Sequence, residues 1–117
     1  MKLGIDIEEV DRFVEMRKTA LKKIFTAREL DYINVQGHAF ETMAGMYCAK
    51  EAFYKALGTG IRTLRNLLDL EVLHDELGAP YYYFQPRLAL ELAGEYTNFQ
   101  LSISHTMFNA VAVCIMF

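Results

Sequence analysis

The sequence predicts an α+β protein in which a mixed or antiparallel sheet packs against helices, and three observations predict it. The chain has 117 residues, the length of a single domain, 1–117. Its residues are 53% hydrophobic, which is enough for a buried core and excludes intrinsic disorder. Segments of strand and helix character follow one another in the order strand, helices, two strands, helix, two strands, which is typical of α+β folds.

The first third of the chain begins with a strand and continues with helices. Lys2–Ile7 alternates between apolar and polar residues and ends in a β-branched residue, which predicts a short strand. Apolar residues recur at helical spacing over Val10–Phe25, with a polar stretch in the middle, and predict a helix there. Thr26 and Glu29 have the spacing of a capping box, so a second helix is expected to follow Thr26 and to continue through Val35.

A longer helix is expected over Phe40–Leu57, and Gly58 after it is a typical C-terminal stop. Only three charged residues occur from Met43 to Leu57, so this helix is expected to be buried on most sides, with each charge paired or bound to a ligand. The remaining predicted elements are strands Leu70–His74 and Pro80–Phe84, a helix Pro86–Tyr96, strands Phe99–His105 and Ala110–Phe117, and a hairpin turn at Thr106–Asn109.

Composition excludes several classes of protein. The net charge of −3 argues against a general nucleic-acid binder. No apolar run approaches the roughly 18 residues of a membrane span, and the start of the chain turns acidic at Asp6, too early for a signal peptide. Two cysteines without an export signal indicate reduced thiols in a cytoplasmic protein. The 8 Phe, 7 Tyr and 6 Met are many for a small interior, which predicts a subunit interface.

Asp6, Glu51 and Lys55 are the first candidate site residues. Asp6 is either a strand-end residue that solvent or the next helix satisfies, or a carboxylate presented to a metal such as Mg²⁺. Glu8 lies on the same strand face, as a further ligand or as an ordinary surface charge. Glu51 and Lys55 share a helix face. They form either a surface ion pair or a metal-binding carboxylate beside a phosphate-binding ammonium, and the residues alone leave both interpretations open.

Two short segments near element ends are candidates for phosphate binding. The stretch from Gly58 to Gly60 would let backbone amides approach a phosphate, although a helix C-cap explains the same pattern. Ser104, His105 and Thr106 form a polar cluster at a strand end. Because Ser104 and His105 point to opposite sides of a strand, we do not expect a serine nucleophile with a histidine base. His105 could instead donate to a phosphate.

The other titratable residues carry weaker signals. His38 and His74 have no metal-ligand spacing to each other or to a cysteine, so no zinc site is expected. The segment 17–28 contains five basic residues and no acidic one, in a chain whose net charge is negative. Such a run is either a solvated face or a docking surface for an acidic protein partner.

Three segments together resemble the holo-[acyl-carrier-protein] synthase family, the small single-domain branch of the 4′-phosphopantetheinyl transferases. They are the segment at 4–6, which reads GID, the segment at 50–61, which reads KEAFYKALGTGI, and the segment at 102–106, which reads SISHT. They occur in the family's order and spacing, and the resemblance extends from Lys2 to near the end of the chain. It implies the 4′-phosphopantetheinyl transferase fold.

The resemblance also implies an activity in fatty acid biosynthesis. It is the Mg²⁺-dependent transfer of 4′-phosphopantetheine from coenzyme A to a serine of apo acyl carrier protein, with release of adenosine 3′,5′-bisphosphate. On this resemblance Asp6 and Glu51 would hold the metal, and Lys55 would neutralise the phosphates. Either Glu51 or a metal-bound water would take the proton of the serine.

Binding residues are implied in the same way. Arg12 and Arg17 would contact the acidic carrier protein, and the chain would form a homotrimer with active sites between subunits. The residues that would bind the coenzyme A nucleotide, with Lys55, are Gly58, Gly60, Ser104, His105 and Thr106.

The chain departs from the family pattern at two cationic positions. Met46 stands where the family usually has an arginine, and Ala79 stands where it usually has a lysine. The alternative to a transferase is therefore a non-catalytic, oligomeric carrier-protein-binding protein on the same fold. A third class, a metal-dependent nucleotide phosphatase, would need a dedicated water-activating residue, and none is recognised.

Overall fold

The computed structural model of the chain describes residues 1–58 and 66–117, in which short strands and helices surround one long helix. The strands are β1 Lys2–Glu9, β2 Leu70–His74, β3 Pro80–Phe84, β4 Phe99–His105 and β5 Asn109–Met116. The helices are α1 Asp11–Val14, α2 Lys18–Leu21, α3 Ala27–Asn34, α4 Ala39–Leu57 and α5 Pro86–Leu92, and a short 3₁₀ turn covers Leu67–Asp69.

The strands form two antiparallel sheets. The larger sheet has the order β1-β5-β4, so the C-terminal strand β5 is central. In its register Asp6 is opposite Ala112, which is also opposite Ile103. The smaller sheet is the hairpin of β2 and β3. The α+β class predicted from the sequence is therefore confirmed.

Helix α4 crosses one face of the larger sheet, and two glycines permit the close approach. A Cβ atom on Gly4 of β1 would lie 1.8 Å from the carbonyl oxygen of Ala52, so no larger residue fits there. A Cβ atom on Gly45 would lie 2.8 Å from Ile103 Cγ2 on β4. The C-terminal half of α4 therefore lies on β1, and its N-terminal half lies on β4.

The core lies between α4 and the sheets. Eleven of the nineteen residues of α4 are buried, which confirms the expectation from its low charge. One face of β5 packs against this helix through Ala110, Ala112, Cys114 and Met116. Phe53 of α4 contacts the rings of Tyr82, Phe84 and Phe99 and so joins the smaller sheet to the same core. Among the described residues, no helix has the length and apolar character needed to cross a bilayer.

The opposite face of the larger sheet is exposed and largely apolar. On β1, Leu3, Ile5 and Ile7 are 65%, 59% and 66% exposed. Beside them, Val111, Val113 and Ile115 of β5 are half-buried. We call the surface formed by these six residues the outer sheet face. It agrees with the excess of apolar residues noted in the composition.

Most predicted elements are confirmed, and two helices differ. The capping box of Thr26 and Glu29 is present, and α4 ends at Gly58, whose φ is 84°. The continuous helix predicted over Val10–Phe25 is wrong, because Arg17 has an extended backbone that separates α1 from α2. The helix predicted to Tyr96 ends at Leu92, since the chain leaves helical geometry at the next residue.

Candidate active site

The Asp6 cluster, which we define as Asp6, Glu51 and Lys55, is formed by β1 and α4. Asp6 is 8% exposed and points from its strand toward α4. The Lys55 ammonium donates to Asp6 Oδ1 at 2.9 Å and is itself half-exposed. Asp6 Oδ2 is buried and accepts no hydrogen bond from any described residue. A buried carboxylate oxygen in this state is available to a cation.

Glu51 lies one helical turn before Lys55 on α4 and shares its face. The three residues therefore comprise two carboxylates and one ammonium, of which Asp6 and Lys55 are in contact. The described residues contain no group of three or more His, Cys, Asp or Glu side chains that could hold a metal. Mg²⁺ is commonly bound through one or two carboxylates together with substrate phosphates and water. The donor set and the open oxygen of Asp6 fit such an ion.

Two neighbours of the Asp6 cluster are already occupied. Glu8 forms an ion pair with Arg12, whose guanidinium lies 4.8 Å from the centroid of the Tyr47 ring. The Cys48 thiol donates to the carbonyl of Ala110 at 3.4 Å. Burial, and after it the charges of Asp6 and Glu8, raise the pKa of Cys48 to about 12, so this thiol stays protonated and unreactive.

A second candidate site is a cleft of about 300 Å³ beside the N-terminal half of α4. It lies between α3, α4, the ends of β2 and β4, and the turn that joins β2 to β3. We call it the histidine cleft, because all three histidines of the chain line it. Its polar lining side chains are Tyr32, Gln36, His38, Glu41, Thr42, His74 and His105.

The residues predicted to bind the nucleotide lie in several places. His105 lines the histidine cleft, whereas Ser104 lies on the opposite side of β4, next to Val111 in the register. Thr106 shapes the β4–β5 turn, since its Oγ1 accepts hydrogen bonds from the backbone N–H groups of residues 108 and 109 at 3.1 Å. Gly58 is the C-cap of α4, and Gly60 lies outside the described residues.

Among the residues that the structure describes, the Asp6 cluster and the histidine cleft are separate. Asp6 lies on one edge strand of the sheet and His105 on the other, with β5 between them. Two strand spacings correspond to about 10 Å. Along α4, Thr42 in the cleft precedes Lys55 by thirteen residues, a rise of about 20 Å. The nearest residues of the two on this helix, Met46 and Glu51, are five residues apart, a rise of about 7.5 Å, so the cleft lies along the N-terminal part of α4 and the cluster toward its C-terminal part.

The basic residues at 17–28 lie partly around a small apolar groove. Lys18 and Lys22 line a cavity of about 170 Å³ together with Leu21, Leu30 and Met43. Arg17 precedes this groove as the N-cap of α2. At the other end of the segment, Arg28 makes two 2.7 Å hydrogen bonds to Glu71. Arg28 is therefore part of an internal ion pair, whereas Lys18 and Lys22 border an open surface.

Comparison with known proteins decides the family. The model of the 4′-phosphopantetheinyl transferase superfamily matches residues 2–113. The chain belongs to this superfamily. The holo-[acyl-carrier-protein] synthase of Fusobacterium nucleatum is 42% identical over 97% of this chain and 96% of its own length. The enzyme of that name from Caldicellulosiruptor bescii is 41% identical over 97% of this chain and 94% of its own.

Solved structures give the same result for this superfamily member. The holo-[acyl-carrier-protein] synthase of Neisseria meningitidis superposes with a TM-score of 0.89 at 28% identity, covering 99% of this chain and 97% of its own. The Bacillus anthracis synthase, solved in complex with CoA (3′,5′-ADP), gives a TM-score of 0.81 at 34% identity. That match covers 98% of this chain and 94% of the other. The 4′-phosphopantetheinyl transferase fold expected from the sequence is confirmed.

Lys50, the first residue of the segment 50–61 that resembles the family, forms a buried ion pair. Lys50 and Glu29 are fully buried, and Lys50 Nζ donates to Glu29 Oε1 at 2.7 Å. Lys50 Nζ also donates to the carbonyls of Ile24 and Leu67. Burial lowers the pKa of Lys50, and the Glu29 carboxylate opposes this shift. Sequence reasoning required a partner for each charge on α4 but did not identify Glu29, whose only visible role was in the capping box.

Proposed function

We propose that this chain is a holo-[acyl-carrier-protein] synthase that transfers 4′-phosphopantetheine from coenzyme A to a serine hydroxyl of apo acyl carrier protein. The serine oxygen forms a bond to the phosphorus of the phosphopantetheine group. The bond from that phosphorus to the bridging pyrophosphate oxygen breaks, and adenosine 3′,5′-bisphosphate leaves. The observation that carries the proposal is the Asp6 cluster. Two carboxylates and an ammonium on rigid elements suit a phosphoryl group that reacts with a divalent cation bound.

Each residue of the Asp6 cluster has a proposed role. Asp6 and Glu51 would hold Mg²⁺, which when bound would neutralise charge on the pyrophosphate. Lys55 lies at the surface beside Asp6. Its ammonium would neutralise the phosphates, where charge develops during transfer. Glu51 is the proposed acceptor of the serine proton, because it is a half-buried carboxylate on the same helix face as Lys55.

The histidine cleft is the proposed site for the nucleotide end of coenzyme A. Of the residues predicted to bind the nucleotide, His105 lines it. Ser104, Thr106 and Gly58 lie outside its lining and Gly60 outside the described residues, so their part in nucleotide binding stays a prediction. Its volume of about 300 Å³ is at the lower end of the range typical of small-molecule sites. The structure of the Bacillus anthracis relative in complex with CoA (3′,5′-ADP) supports a coenzyme A ligand for this fold.

We propose that the active site forms between protomers of a homotrimer. We take the Asp6 cluster and the histidine cleft as two half-sites, because they lie on opposite edge strands of the sheet and along different parts of α4, and a neighbouring chain would bring a cleft beside an Asp6 cluster. The outer sheet face supplies a surface for association, since exposed apolar patches of this kind mark contact sites. The family resemblance supports three as the number of chains.

The carrier protein is proposed to dock on the first helices. Arg12 and Arg17 are the proposed contacts, and Arg17 directly precedes α2, whose Lys18 and Lys22 border a groove with an apolar floor. An acidic helical partner matches that combination, because opposite charges steer the approach and apolar contacts hold the complex. We place this reaction in fatty acid biosynthesis in the cytoplasm, the setting that the resemblance implies.

Mass spectrometry of the carrier protein tests the proposal. With Mg²⁺, coenzyme A and an apo acyl carrier protein, the chain should add the mass of one phosphopantetheine group to the carrier. Asp6→Asn removes the carboxylate charge with little change in shape and should lower the rate by at least about 100-fold. Glu95→Gln, at an exposed residue after α5 and outside both candidate sites, is the control and should leave transfer unchanged.

The outcome that contradicts the proposal is a wild-type chain that shifts no carrier mass. Tight carrier binding without a mass shift would identify the non-catalytic alternative. Loss of folding in Asp6→Asn, detected by circular dichroism, would be distinguished by repeating the assay with Lys55→Met, whose side chain lies half-exposed.

A further inference from the structure

The histidine cleft contains every histidine of the chain. His38 precedes α4, His74 ends β2 and His105 ends β4, so three separate segments bring them to one cavity. The described residues that line the cleft include no lysine and no arginine. The positive charge that the lining of this cleft can offer to an anion therefore depends on protonation of its histidines.

His74 is the most constrained of the three. Its ring stacks on Tyr32 with centroids 4.0 Å apart and planes 5° from parallel. Its Nδ1 atom is buried and makes no hydrogen bond with any described residue. Burial lowers the pKa of His74, and the charge of Asp75 partly opposes this shift. In the free protein at neutral pH, His74 is therefore held mainly in its neutral form.

Within 1–58 and 66–117, two carboxylates interact with these histidines. Glu41 Oε2 lies 3.0 Å from His38 Nδ1, and Asp75 follows His74 in the chain. His105 is exposed at the rim. His38 is also the N-cap of α4 and makes no side-chain capping bond, so the partial positive charge of the helix N-terminus adds to that of protonated histidines. The helix N-terminus and the histidines therefore favour an anion in the cleft, and the net charge of the cleft depends on pH.

We propose that His74, the buried histidine of this cleft, gains a proton when the phosphate groups at the nucleotide end of coenzyme A bind there. The identity of the ligand rests on the proposed function. The proton linkage rests on the composition of the cleft. A nucleoside phosphate is the chemical class expected, because it joins an anion to an aromatic base that an open cavity of this volume can admit.

The sign of the pH dependence follows from linkage. A bound phosphate raises the pKa of a nearby histidine, so binding is strongest below the free-state pKa of His74, which burial holds below its ordinary value, and weakens as pH rises through the raised pKa of the complex. The phosphate monoester has the opposite effect. It loses its second proton near about pH 6, which strengthens its attraction to any fixed cation as pH rises. The direction of the change therefore separates a histidine site from a site with fixed charge.

Calorimetric titration of the full chain with adenosine 3′,5′-bisphosphate tests the proposal. Measurements between about pH 6 and pH 8, in buffers with different ionisation enthalpies, report the protons taken up on binding. We expect net uptake near neutral pH. We also expect Kd to rise about tenfold across this range for each histidine whose pKa is raised by one unit.

Two kinds of variant sharpen the test. His74→Gln should bind more weakly at low pH and take up fewer protons. Ala79→Lys adds a fixed charge at an exposed residue between Gly78 and Pro80, which both line the cleft, and should tighten binding at about pH 8 and flatten the pH dependence. Leu77→Lys adds the same charge to the same turn at a residue that is 95% exposed and outside the cleft, and should change little.

The proposal is overturned by binding without proton uptake, by affinity that rises with pH, or by no detectable binding at about pH 6. If His74→Gln does not fold, the comparison of Ala79→Lys with Leu77→Lys decides the question. The transfer assay keeps the two proposals apart. Carrier modification with pH-independent nucleotide binding overturns this inference alone, and proton-linked nucleotide binding without carrier modification overturns the proposed function alone.

Discussion

Lys50, which precedes Glu51 on α4, forms a buried ion pair with Glu29. Substitution of this pair tests whether Lys50 has a structural or a catalytic role. Lys50→Met leaves the Glu29 carboxylate buried without its cation, which should destabilise the fold by about 3–5 kcal/mol. Urea unfolding followed by circular dichroism measures the loss. The double variant Lys50→Met with Glu29→Gln removes both charges and should recover part of the stability, since a neutral pair is cheaper to bury.

A stable Lys50→Met chain that has lost transfer activity would contradict a structural role and show that Lys50 takes part in catalysis.

Among single residues, the sequence predicted Asp6, Glu51 and Lys55 as a group, and the structure brings Asp6 and Lys55 to 2.9 Å. The partner of Lys50 was not predictable, because Glu29 is twenty-one residues away and meets it only through tertiary packing. Local spacing carries no information on such a contact.

The contact between α4 and β1 is the element-scale feature that forms the Asp6 cluster, and Gly4 permits it. Gly4→Ala would place a Cβ atom 1.8 Å from the carbonyl oxygen of Ala52 and 2.8 Å from the nitrogen of Ala56. Because both are backbone atoms, the helix must move away from the strand, and we expect a loss of about 3 kcal/mol or more in unfolding free energy. Thermal unfolding compared with wild type measures it.

Gly37→Ala is the matched control, since a Cβ atom at Gly37 meets nothing within 4 Å. Equal stability of the two variants would show that α4 does not lie against β1 as described.

Helices were predictable from the sequence where residues at their ends determine where they begin and end, as at the Thr26 capping box and at Gly58. The continuous helix predicted over Val10–Phe25 was wrong. Its polar middle buries no residue, so packing against the core does not stabilise a helix there.

At the scale of the whole molecule, the sequence predicted a subunit interface and the resemblance implied active sites between subunits, but neither located the outer sheet face or the two half-sites. An excess of apolar residues predicted an interface, but their placement depends on the strand order β1-β5-β4, which pairs the first strand with the last. Periodicity identifies strands and does not order them. The arrangement leads to the central claim, that this chain is a transferase whose active site is completed by a neighbouring protomer.

A complementation experiment tests that claim most directly. Asp6→Asn inactivates the Asp6 cluster, and His105→Glu places a repelling carboxylate in the histidine cleft, so each variant alone should transfer little phosphopantetheine. In co-expressed, randomly mixed trimers, one interface in each mixed trimer joins two intact half-sites, and about a quarter of the wild-type rate should return. A mixture no more active than the two variants measured separately would contradict the account.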